Sequence, residues 1–124
     1  MDLNALDTRG PSDEGEWVTI TNPATYQPTD IRIRVLGPDS KRFTEAADRH
    51  RRALKKSGAD ADRLGAEFLS DITLEWDGVE SEQDGELKPL QLSRDNAIWA
   101  YTQYPELARQ VTRFAVNVGN FTRS

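Results

Sequence analysis

The chain has no cysteine, a single histidine, a single methionine, and no run of about 18 apolar residues of the kind a membrane span needs. Without thiols, disulfides, thiol catalysis and thiolate-zinc centres are excluded, and an ordinary cytosolic chain needs no other explanation. Without a basic-then-apolar start, neither a secretory signal nor a membrane partner is expected. His50 stands alone among Arg49, Arg51 and Arg52, neighbours that disfavour its protonated form. No glycine-rich phosphate loop and no Gly-x-Ser-x-Gly is present, so nucleophilic and metal-assisted mechanisms lack parts. No enzymatic activity, catalytic residue, metal or cofactor is therefore expected.

What is present supports one domain. Over 124 residues, three Trp, four Phe and three Tyr within a 36% hydrophobic composition supply a modest core, and 30% charged residues supply a wet surface. The net charge of −5 argues against general nucleic-acid binding, which depends on clustered cations. The charge is unevenly spread. Between Lys41 and Lys56 seven bases meet only Glu45 and Asp48, whereas Leu64 to Leu87 carries eight acids and no base. These stretches are expected to be solvated faces, or to meet each other within one chain or between copies, which makes self-association a candidate property.

Residues 1 to 16 combine few apolar groups with Gly, Pro, Ser and five acids, which predicts a flexible N-terminal tail ahead of a single α+β domain over 17–124. Alternation of Val18 and Ile20 with Trp17, Thr19 and Thr21, and of Ile31, Ile33 and Val35 with Arg32 and Arg34, predicts two strands joined by a long Pro23-to-Pro28 loop. A lone hairpin is marginal in water, so a third strand is expected, with "GELKPLQL" the candidate and Pro89 placing it at an edge. "GPDS" at Gly37–Ser40 predicts a turn with Asp39 or Ser40 capping a helix that stops near Ser57-Gly58. Leu64, Phe68, Ile72 and Trp76 then recur at i+4, a helical stripe, although Thr73 and Leu74 suit a short strand equally well. Ser93 is a cap candidate for the helix carrying Ile98, Trp99 and Tyr101. Pro105 suits the first turn of a last helix, with Leu107, Val111, Phe114, Val118 and Phe121 as its apolar stripe. The expected fold is α+β, an N-terminal β-hairpin followed by a mostly helical C-terminal half.

The acidic stretch from Ile72 to Ser93 aligns with a calcium loop only in part. Glu80, Glu82 and Asp84 occupy the first three ligand positions around Gly85, but Gln91 stands where a bidentate Glu is required and Pro89 interrupts. A charged hairpin with turns at Asp77-Gly78 and Asp84-Gly85 is preferred, with a calcium-binding module as the weakest alternative.

"EWDGVE", "DGELKPLQLSRDNAIWAY" and "YPELARQVTRFAVNVGNF" follow one another in the C-terminal half, and "PATYQPTDIRIRVLGPDSKRF" in the N-terminal half. In this order the chain resembles the tail assembly chaperones of long-tailed bacteriophages and prophages over roughly residues 17 to 121. Its "FAVNVGNF" end lacks the charged residues expected before a terminal Asn-Phe. The resemblance implies a non-enzymatic, transient assembly factor in the host cytoplasm. Such a factor binds the tape-measure protein and helps recruit the tail-tube protein. A minor tail or connector protein retained in the virion is the alternative. Candidate partner-binding residues are Trp76, Asp77, Gly78, Trp99, Tyr104, Phe114 and Phe121.

Overall fold

The computed structural model describes residues 1–123. Strands β1 (Glu16–Thr21) and β2 (Pro28–Val35) form the expected antiparallel hairpin, with Trp17 opposite Arg34 and Val18 opposite Ile33. The third strand is not the Pro89 segment. It is β3 (Thr73–Asp77), antiparallel to β2, with Ile33 opposite Trp76 and Arg34 opposite Glu75. β2 is therefore central and β1 and β3 are edges.

Helices α2 (Lys41–Leu54) and α3 (Ala61–Ile72) lie in sequence between β2 and β3, so helices interleave with strands rather than filling only the C-terminal half. The molecule is α+β in this interleaved sense. Leu36 N–H donates to the Ile72 carbonyl at 3.0 Å, which ties the end of α3 to the end of β2 and lets the chain pass directly from helix into the sheet. Trp76 leaves the helical stripe for this reason and sits on a strand. "GELKP" instead supplies β5 (Glu86–Pro89), which pairs only with β4 (Glu80–Gln83). Asp84 and Gly85 join them with φ 54° and 78°, the positive pair that a tight hairpin turn of the right twist requires.

Two helices complete the layer over the sheet. α4 (Arg94–Gln103) starts at Ser93, whose side chain accepts from Asn96 N–H, and α5 (Pro105–Ala115) starts on Pro105, as the sequence leads one to expect. Ser40 occupies the cap position of α2, but its hydroxyl is buried and makes no hydrogen bond among the described residues. Val118 falls in a short 3-10 turn beyond α5 and is exposed, so the last apolar stripe breaks after Phe114. The core centres on Ile33, Val35, Leu36, Ile72, Val111 and Phe121, all without measurable exposure.

The first sixteen residues differ most from expectation. Residues Leu3–Leu6 form a 3-10 turn and Arg9–Glu14 a short helix, α1. The Ser12 side chain is fully buried, its carbonyl accepts from Gly37 N–H at 3.0 Å, and its hydroxyl accepts from Asp39 N–H at 3.3 Å. Polar and backbone groups hold this segment, so its low apolar content was a poor guide. Arg123 closes the clasp from the other terminus, donating to Asp7 at 2.7 Å.

Candidate functional site

A cleft of about 490 Å³ opens where three parts of the fold meet. Ile20 and Ile31 come from the hairpin, Trp99, Tyr104 and Leu107 from the α4–α5 elbow, and Val79 and Leu90 from the root of the β4–β5 arm. Ala97, Ile98, Ala100 and Tyr101 take the core-facing side of α4, which turns Trp99 outward. Pro105 then breaks the chain, leaving Tyr104 on the elbow. The two rings are 45% and 52% exposed and stand edge to face at 5.7 Å between centroids, a geometry favoured by the ring quadrupoles. Large aromatics held rigidly beside an apolar recess are the side chains that dominate protein–protein binding energies.

The other candidate residues fall elsewhere. Trp76 is half-buried beside the cleft, its indole N–H donating to the Leu90 carbonyl at 2.9 Å and so anchoring the arm. Asp77 pairs with Arg32 at 3.3 Å on the solvent face of the sheet, where Arg34 also pairs with Glu75 and Arg32 lies 4.8 Å from the Trp17 ring centre. Gly78 adopts φ 74°, and a Cβ there would stand 2.1 Å from the Asp30 carbonyl oxygen, so its role is to let the chain leave the sheet. Phe114 packs against Phe121, with centroids at 5.7 Å, outside the cleft lining, and Phe121 has no exposed surface. Only Trp99 and Tyr104 are brought together at the cleft.

The acids of the arm remain on its surface. Glu80 reaches the cleft rim, and Lys88 lies 3.9 Å from Glu86. Among the described residues no three potential ligands gather in a metal-binding group. Part of the expected charge complementarity is met within the chain, since Asp71 takes both Arg94 at 3.2 Å and Arg49 at 3.6 Å. His50 is half-buried against Phe68, at 5.5 Å between ring centres, and its Nδ1 has no partner among the described residues. At Tyr101, burial pushes the phenol well above its usual range, and a hydrogen bond with Thr73 offsets this only in part.

Gln110 is the residue sequence reasoning passed over. Its Oε1 accepts from Thr21 N–H at 2.8 Å and its Nε2 donates to the Thr21 carbonyl at 2.8 Å, bridging α5 to the edge of the sheet. A polar residue on an amphipathic helix gives no sequence signal of such a partner. Glu106 supports it by accepting from Gln110 at 3.2 Å and from Arg109 at 3.0 Å, bonds that hold the Glu106 carboxyl below its usual range, that to Arg109 contributing most. No protein-family model, curated protein or solved structure matches the chain.

Proposed function

We propose that the chain is a non-enzymatic tail assembly chaperone of a long-tailed bacteriophage or prophage. It binds the tape-measure protein in the host cytoplasm and helps recruit tail-tube subunits. The observation that carries this reading is the exposed Trp99–Tyr104 pair at the mouth of an apolar cleft, read together with the family resemblance of the segments around it. A cleft of this size accepts one or two apolar side chains, which is what an amphipathic helix presents at i and i+4 when it lies in a groove. A long helical protein exposing such a stripe needs cover until its assembly partner arrives.

Co-expression with the tape-measure protein of the same phage tests the reading. That protein should be soluble with the chain and insoluble without it, and insolubility in both cases would contradict the proposal. Retention in the finished particle would favour the alternative of a minor tail or connector protein. Mass spectrometry of purified virions separates the two, because an assembly chaperone should be missing from them.

A further inference from the structure

The edge strand β1 and helix α5 enclose a second groove of about 520 Å³, lined by Val18 and Thr21 on one side and Gln110, Arg113, Phe114 and Asn117 on the other. In an antiparallel ladder the backbone groups of successive residues point alternately to the two sides of the strand. Thr21 directs its N–H and C=O away from β2, toward Gln110, while the Ile20 carbonyl accepts from the Thr29 hydroxyl at 2.7 Å and Asn22 N–H donates to the Gln27 carbonyl at 2.8 Å, both toward the β2 side. By the same alternation, Trp17 and Thr19 also turn their backbone groups outward. Neither residue has a hydrogen-bond partner on that side among the described residues. Edge strands are usually covered, bulged or charged to prevent pairing. Here the β1–β2 register shifts between Thr19 and Thr21, and Thr21 is covered by a side-chain amide making the two bonds that a neighbouring strand would make, while Trp17 and Thr19 precede the shift and stay open.

We propose that β1 accepts an extended segment of a partner polypeptide as a fourth strand, paired to Trp17, Thr19 and Thr21 and bearing a carboxylate opposite Arg113. The Gln110 amide marks the position of the first incoming peptide group and yields to it. Side chains on one face of the added strand enter the groove over Val18 and Phe114. Arg113, one turn beyond Gln110, has no ion-pair partner among the described residues. Glu106 lines the same groove but is taken up by Arg109 at 3.0 Å and Gln110 at 3.2 Å, so Arg113 is the groove's cation without a close partner, which selects an acidic side chain or a C-terminal carboxylate. Strand addition takes affinity from main-chain bonds and specificity from alternate side chains. This groove adjoins the Trp99–Tyr104 cleft, with Thr21, Pro23, Glu106 and Gln110 lining both, and the inference does not depend on the function proposed above.

The test pans a library of random decapeptides with free C-termini against the immobilised full-length chain, then titrates the enriched peptide by NMR. Enriched peptides should alternate β-branched with polar residues and carry a carboxylate. Binding should shift the amides of Trp17, Thr19 and Thr21 and protect them from exchange. Thr19→Pro removes an outward N–H and leaves the β1–β2 ladder intact, a placement that edge strands tolerate. It should weaken binding at least about tenfold, and Arg113→Gln should weaken it by about tenfold, the scale of one charge-assisted bond. Circular dichroism checks that both variants fold. If Thr19→Pro does not fold, N-methylation of alternate amides in the peptide gives the same reading on the unaltered protein. No enrichment over bare support would overturn the proposal, as would amide shifts confined to other strands or equal binding by the N-methylated peptide. Self-dimerisation through β1 that excludes the peptide would overturn the stated occupant.

Discussion

Replacing Gly78 with Ala separates two costs that glycine hides. Gly78 and Gly85 both hold positive φ, 74° and 78°, in the acidic stretch, yet a Cβ at Gly85 meets nothing within 4 Å. At Gly85→Ala only the left-handed backbone is penalised, by roughly 1–2 kcal/mol, less about 0.4–1 kcal/mol regained because the unfolded chain is stiffer. The net loss should be about 1 kcal/mol or less. At Gly78 the new methyl would also sit 2.1 Å from the Asp30 carbonyl oxygen and 2.7 Å from its carbon, both backbone atoms of β2 that no rotamer change can remove. Prising the chain off β2 adds a cost typical of overpacking, about 1–3 kcal/mol, for a total of roughly 2–4 kcal/mol. With a urea slope of about 1.5 kcal/mol per M, midpoints should fall by about 0.5 M for Gly85→Ala and by about 1.5–2.5 M for Gly78→Ala. Equal midpoints for the two variants would refute the argument that Gly78 is a packing requirement, and would return it to the set of residues placed for a partner.

Two further outcomes follow from burial and charge. Phe121→Ala should cost about 3–5 kcal/mol, because the ring is fully buried against Phe114, whereas Trp99→Ala should change stability by less than about 1 kcal/mol; urea melts showing equal losses would contradict the division into core and surface aromatics. The Asp7 carboxyl is held below its usual range, first by the Arg123 hydrogen bond and then by Gly10 N–H. A lowered folded value contributes stability that is complete above the ordinary carboxylate range and is lost as pH falls through the folded value. Amide exchange at Gly10 and Ser12 should therefore accelerate in acid, relative to its intrinsic pH dependence, in the parent chain and not in Asp7→Asn. The same acid response in both would show that another group controls the clasp.

The parts of the fold legible in the sequence are those where one local rule acts alone. Alternation of Val18 with Ile20, and of Ile33 with Val35, marks two strands. Ser93, Pro105 and Asp84-Gly85 each have a backbone chemistry that permits little else. The strand from Thr73 stays an open alternative in the sequence because a spacing of four serves both periods: Ile72 and Trp76 share a face on a helix and also on a strand, and the Leu36–Ile72 backbone bond decides where one ends. The contacts of the N-terminal segment are not legible in its composition because Ser12, a polar residue, ties it to Gly37 and Asp39 through bonds that composition does not register. At the candidate site, aromatic identity singled out Trp99 and Tyr104, but equally Phe121, since exposure depends on which side of α4 faces the core. Gln110 became visible only with the β1 edge beside it.

In the proposed function this fold holds other polypeptides, with Trp99 and Tyr104 as its anchors for a helical partner. The most direct measurement is the soluble yield of the tape-measure protein co-expressed with the parent chain or with the Trp99→Ala/Tyr104→Ala double variant. Their thermal stability is compared alongside. Truncating an aromatic hot spot typically costs about 2 kcal/mol or more of binding, so under the proposed function the double variant should keep its melting behaviour and lose most of the solubilised partner. A double variant that folds normally and keeps the partner fully soluble would contradict the account.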